Sequence, residues 1–169
     1  ISCVGEPEKR FKEDGLRILR ALRFASTLDF NIDMNTSKAL IKLCDLLDGI
    51  SKERIYTELN KLICGIGASK IFKEFKQVLC KCIEDTDEIA FEKSAEYLND
   101  FPNDSLMRFA LIFRLSENIS PDNLTSSDDL NSHPDIYKYI NASGLALRKL
   151  KAPLADIRRV RLSTELLFT

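Results

Sequence analysis

Along most of this chain the apolar residues return every three or four positions, and only 6 Gly and 5 Pro interrupt them in 169 residues. A period near 3.6 puts apolar side chains on one stripe of a helix, and so little turn chemistry leaves few places for hairpins. The spacing therefore predicts an all-α fold. A first helix is expected over Phe11 to Leu28, with Leu16, Leu19, Ala21, Leu22 and Ala25. A second should start near Thr36 as N-cap and run through Leu40, Ile41, Leu43, Leu46 and Leu47 to Gly49. Ser51 should cap a third, carrying Ile55, Leu59, Leu62 and Ile63 and ending at Gly65 and Gly67. Further helices are expected over 69–83, 87–100, 104–117, 134–140 and 145–168, the last interrupted at Pro153, with a polar loop over 120–132. With 44% hydrophobic residues the chain can bury one sizeable core or two small ones, and it divides into units at 1–65 and 66–169.

The chain opens Ile1-Ser2-Cys3-Val4 with no initiator Met and closes on Leu166-Leu167-Phe168-Thr169 without a helix stop, so a fragment is expected. No stretch is apolar enough for a signal peptide or a membrane span, which points to the cytoplasm and to no membrane partner. Five cysteines (Cys3, Cys44, Cys64, Cys80 and Cys82) and the single His133 lack the spacing of a zinc site or a disulfide framework. Cys80-x-Cys82 reads as two reduced thiols rather than a soft-metal site. The net charge of -1 hides a segregation: the ends are basic, while Glu84, Asp85, Asp87, Glu88, Glu92, Glu96, Asp100 and Asp104 face one Lys93. A polyanion would be held by the ends and repelled by the middle.

The most chemical stretch lies near the start. At about 100° per residue, Arg10, Glu13, Asp14, Arg17 and Arg20 share an arc of roughly 120° on one helix. Asp14 and Arg17, three apart, project side by side. The plain alternative is a solvated salt-bridge ladder. Base recognition offers more. Cytosine and adenine present an exocyclic amine donor next to a ring-nitrogen acceptor; guanine and uracil reverse that order. A carboxylate beside a guanidinium complements the first arrangement and clashes with the second.

The run Val4-Gly5-x-Pro7-x-x-Arg10-Phe11-x-Glu13-Asp14-x-x-Arg17-x-x-Arg20 resembles the neck-helix motif of class II tRNA nucleotidyltransferases, the CCA-adding family, and of their poly(A) polymerase relatives. Ser51-x-Glu53-Arg54-x-x-x-Glu58-Leu59 is similar to a second neck motif of that family. The resemblance implies that Asp14 and Arg17 act as a protein template for CTP and ATP, with Arg20 and Arg10 helping to hold phosphates and Glu13 orienting the arginines. Ser51, Glu53, Arg54 and Glu58 take a structural role, with Ser51 as N-cap and Arg54 paired to Glu58 four residues on. Gly15 stands where Ala or Pro is common, and is expected to cost about 1 kcal/mol of helix stability without altering the functional face.

The resemblance further implies an upstream catalytic head, in which an Asp-x-Asp pair holds Mg2+ beside a Gly-rich phosphate turn, and a downstream tail domain. Neither is expected within these residues, so the chain alone should be inactive, with no catalytic residue and no metal site of its own. Asp85-Thr86-Asp87 reads as a solvated turn. The basic cluster Arg148, Lys149, Lys151, Arg158, Arg159 and Arg161 is the candidate contact to the tRNA phosphate backbone, against the alternative of a merely solvated face. Three functions remain in play: the neck and body of a CCA-adding enzyme, the same region of a bacterial poly(A) polymerase or a CC- or A-adding enzyme, and a non-catalytic helical RNA-binding module.

Overall fold

The computed structural model describes residues 1–83, 86–98, 100, 103–116 and 147–159. As the spacing predicted, the described residues are helical and contain no strand. Eight α-helices follow in order: α1 Pro7–Glu13, α2 Leu16–Leu28, α3 Met34–Lys42, α4 Lys52–Ile63, α5 Ala68–Glu74, α6 Lys76–Cys82, α7 Glu88–Tyr97 and α8 Ser105–Leu115. A 3-10 helix, Cys44–Gly49, joins α3 to α4. Residues 147–149 and 154–159 are also helical. The helix expected over 134–140 and the loop over 120–132 lie outside the described residues.

Several boundaries differ from the spacing, each for a local reason. The first helix is broken. Asp14 is extended (φ -153°, ψ 105°) between α1 and α2, and its Oδ1 accepts the Leu16 N–H at 3.1 Å. A Cβ on Gly15 would sit 2.9 Å from the Leu46 carbonyl oxygen, so Gly15 is where the 3-10 helix approaches the backbone rather than an ordinary helical residue. Thr36 is not the N-cap of α3. Asp33 is, accepting the Thr36 N–H at 3.0 Å, while the Thr36 hydroxyl accepts from the Cys3 N–H at 3.1 Å. The segment read as one helix over 69–83 turns at the buried Phe75 into α5 and α6. Asp87 and Asp104 cap α7 and α8 through their side chains.

The core is one cluster running from Phe11 to Ile157. Its centre is the packing of α2 against α4. Leu19, Leu22 and Ala25 of α2 and Ile55, Leu59 and Leu62 of α4 are fully buried. The Ser26 hydroxyl donates to the Leu62 carbonyl at 2.6 Å. The turn after α4 then lies against α2: a Cβ on Gly65 would fall 2.1 Å from Ser26 Oγ and 2.5 Å from its carbonyl carbon. Arg108 of α8 closes the far end, its buried guanidinium donating to the carbonyls of Ile63 at 2.6 Å and Leu98 at 3.3 Å, where α4 and α7 end. A cation there complements the partial negative charge of both helix C-termini. Residues 147–159 pack on the same core through Leu147, Leu150 and Ile157, and Asp156 accepts the Tyr56 hydroxyl at 3.0 Å.

A Gly65→Ala substitution is expected to destabilise the fold by roughly 3 kcal/mol, because the Ser26 backbone as well as its hydroxyl blocks the added methyl. Gly49→Ala, with nothing within 4 Å of the added Cβ, should be nearly neutral. Urea unfolding of the two variants checks this; equal midpoints would contradict the close approach.

Candidate nucleotide-selecting site

The break between α1 and α2 shapes the ionic surface. Arg10 sits on α1, and Arg17 is the second residue of α2; Glu13 lies between them in the chain. Glu13 Oε2 accepts from Arg10 Nη1 at 3.0 Å and from Arg17 Nη1 at 2.5 Å. The same Arg17 nitrogen donates to the Arg10 carbonyl at 3.0 Å. Arg17 is thereby held by one terminal nitrogen, and no bond of its other terminal nitrogen or its Nε is found among the described residues.

Asp14 does not pair with Arg17. Its Oδ1 is taken by the Leu16 N–H, and its Oδ2 faces Arg54 of α4 at 3.7 Å, ion-pair range but too long for a hydrogen bond. The pairing expected between Arg54 and Glu58 is absent as well, because tertiary partners win. Glu58, almost buried, receives Arg20 Nε at 3.2 Å and lies 2.7 Å from Arg23 Nε, off the line of a hydrogen bond. Arg23 in turn lies 4.0 Å over the Phe24 ring. Arg20 is held through Nε, and no bond of its terminal nitrogens is found among the described residues.

Ser51 occupies the N-cap position of α4 with extended backbone but makes no side-chain cap bond. Glu53 in the first turn pairs with Lys151 at 3.1 Å. In the C-terminal cluster, Arg159 pairs with Asp104 at 3.1 Å, Lys149 and Lys151 are engaged, and Arg148 and Arg158 are exposed. Arg161 lies outside the described residues. Exposed pairs of this kind are weak and screened by salt, so a phosphate can compete for the same cations. The acidic middle is less bare than its sequence: Lys76 of α6 reaches Glu92 at 2.6 Å and Glu88 at 3.9 Å.

Among the described residues no group of three or more His, Cys, Asp or Glu could hold a metal ion. Asp87 of the Asp-x-Asp sequence is spent on the Ala90 N–H and the Ser116 hydroxyl, and Asp85 lies outside the described residues. All five cysteines are free. Burial pushes the Cys80 thiol up to about 12, and Cys82 upward too, which keeps both protonated. No described helix is long and apolar enough to cross a membrane.

The chain is similar to several known proteins. Residues 29–78 match a family described as the probable RNA and SrmB-binding site of polymerase A. A CCA-adding enzyme of Ligilactobacillus salivarius is 34% identical over 163 residues, covering 93% of this chain and 40% of that protein. One from Lactococcus lactis subsp. cremoris is 52% identical over 63 residues, 37% of this chain and 16% of that protein. The crystal structure of Bacillus stearothermophilus CCA-adding enzyme in complex with CTP superposes with a TM-score of 0.58 at 23% identity, covering 96% of this chain and 36% of that one. The chain corresponds to a region of CCA-adding enzymes, and residues 29–78 to the probable RNA-binding region of the poly(A) polymerase family. It spans no more than 40% of the length of these curated relatives.

The family match also marks a stretch that sequence reasoning passed over for RNA contact. Within residues 29–78 lies a cleft of about 380 Å³ lined by Asp29, Ile66, Lys70 and Lys73. Its lysines stand three apart, with apolar residues and Glu74 around them, so no adjacent pair of cations advertises them. Lys70 is already bound to Asn31 at 2.8 Å and faces Asp29 at 3.6 Å.

The Glu13 carboxyl is held below the usual glutamate range, first by the hydrogen bond from Arg17, which outweighs the opposing desolvation, and then by the charge of Arg10. A lowered carboxyl pKa means that the paired state is complete above the ordinary value and is lost only as pH falls through the lowered one. An NMR titration should find Glu13 titrating below an unperturbed glutamate, and Arg17→Ala should move it upward. No movement would contradict the Glu13–Arg17 bond.

Proposed function

We propose that this chain is the base-selecting and RNA-binding part of a cytoplasmic nucleotidyltransferase that adds C, C and A to the tRNA 3′ end without a nucleic-acid template. In this reading residues 1–65 form the neck that selects the nucleotide and residues 66–169 form the helical body. One observation carries it: the ionic face is not a closed ladder. Asp14 and Arg17 are each hydrogen-bonded through one side-chain atom and do not satisfy one another. An acceptor oxygen of Asp14 and donor nitrogens of Arg17 remain for a ligand.

A base with an amine next to an acceptor nitrogen, cytosine or adenine, donates to the Asp14 carboxylate and accepts from the Arg17 guanidinium. Uracil and guanine put an acceptor against the carboxylate and a donor against the guanidinium, and each mismatch leaves a polar group unpaired. Arg20, gripped at Nε by Glu58, offers its terminal nitrogens to the triphosphate, with Arg10 alongside. Phosphates of the RNA are met by Arg148, Lys149, Lys151, Arg158, Arg159 and Arg161, and the exposed pairs of Lys151 and Arg159 can be exchanged for them. The Mg2+-dependent transfer step belongs to a catalytic head outside these residues, and the chain alone is inactive.

The family description of residues 29–78 favours a second reading, the same region of a bacterial poly(A) polymerase. Transfer assays with the full-length protein separate the two. C and A added to a tRNA lacking CCA support the first, while A alone on any RNA end supports the second. In the same assay Asp14→Ala and Arg17→Ala are expected to reduce the preference for CTP over UTP by about 100-fold or more, with folding retained. Folded variants that keep the preference would overturn the base-reading assignment.

A further inference from the structure

We propose that Arg54 is a positioning residue for nucleotide selection, setting the direction of the Asp14 carboxylate from α4, and not a brace within α4 itself. The proposal rests on Asp14 being the base reader. Asp14 stands in extended backbone at the break between two helices, so no helical turn restricts its side chain. Two contacts define the carboxylate: the Leu16 N–H on Oδ1 at 3.1 Å, and Arg54 Nη2 beside Oδ2 at 3.7 Å. The first fixes one oxygen. Without the second, the carboxylate can still swing about that single bond, and Oδ2, the oxygen left for a base amine, loses its direction.

Arg54 is available for this task because Glu58, four residues on, is already engaged by Arg20 and Arg23 of α2. The same interhelical pairs hold α4 against α2, which brings Arg54 to Asp14. At 3.7 Å the guanidinium is close enough to orient the carboxylate and too far to consume the oxygen as a hydrogen-bond acceptor. Its side chain is 51% exposed, so the pair contributes little to stability. Removing it should be read in selectivity, not in folding.

The test is steady-state kinetics of CTP and UTP incorporation by the full-length protein carrying Arg54→Ala, Arg54→Lys or Asp14→Ala, together with the thermal midpoint of each. Arg54→Ala is expected to lower the CTP-over-UTP ratio of kcat/KM about tenfold at an unchanged midpoint, and Arg54→Lys to recover most of it. An unchanged ratio in Arg54→Ala, with the ratio collapsed in Asp14→Ala, would overturn the role of Arg54 and leave base reading standing. Equal losses for CTP and UTP with a lowered midpoint would make Arg54 a brace. An unchanged ratio in Asp14→Ala would remove the base reading on which the proposal depends.

Discussion

The contact between α2 and α4 is the constraint from which the rest of the structure follows. It is made close by an absent side chain, since the Gly65 backbone lies where no Cβ fits against Ser26. It is tied by the Ser26 hydroxyl on the Leu62 carbonyl, and it is keyed by Glu58 between Arg20 and Arg23. A nearly buried carboxylate is costly unless it is paired, so the two arginines of α2 fix how α4 lies along it. The ionic face of α1 and α2 inherits its geometry from that crossing.

The proposed selector would accordingly be built in two tiers. Glu13 and Arg54 contact Arg17 and Asp14, the proposed base readers, and Glu58 contacts Arg20, the proposed phosphate ligand, from the helix that carries Arg54. None of the exposed pairs needs to contribute much stability for this to work. Their effect is to narrow the directions that Asp14, Arg17 and Arg20 can take, and a preorganised donor and acceptor discriminates better than flexible ones.

Much of this was legible in the sequence, and what was not has identifiable causes. Helix existence and the core positions of α2 and α4 follow from apolar spacing, and α4 begins and ends within a residue or two of its Ser51 and Gly65 signals. The ionic face was visible from the spacing of Arg10, Glu13, Asp14, Arg17 and Arg20. The break at Asp14 was not, because the apolar period runs straight across it. At the break the Leu46 carbonyl approaches Gly15, a tertiary contact that no local window contains. The partners of Arg54 and Glu58 were misjudged for the same reason: four-residue spacing permits a pair within α4, but a buried carboxylate is better served by two arginines from α2. Asp33 displaced Thr36 as the cap because the hydroxyl of Thr36 is needed by Cys3.

The central claim is that Asp14 and Arg17 read the Watson–Crick edge of the incoming base. A crystal structure of the full-length protein with CTP addresses it most directly. The account predicts the cytosine amine on the Asp14 oxygen nearest Arg54 and the ring nitrogen on the Arg17 guanidinium, with Glu13 still bridging Arg10 and Arg17. A cytosine bound elsewhere, with Asp14 and Arg17 in solvent contact only, would contradict it.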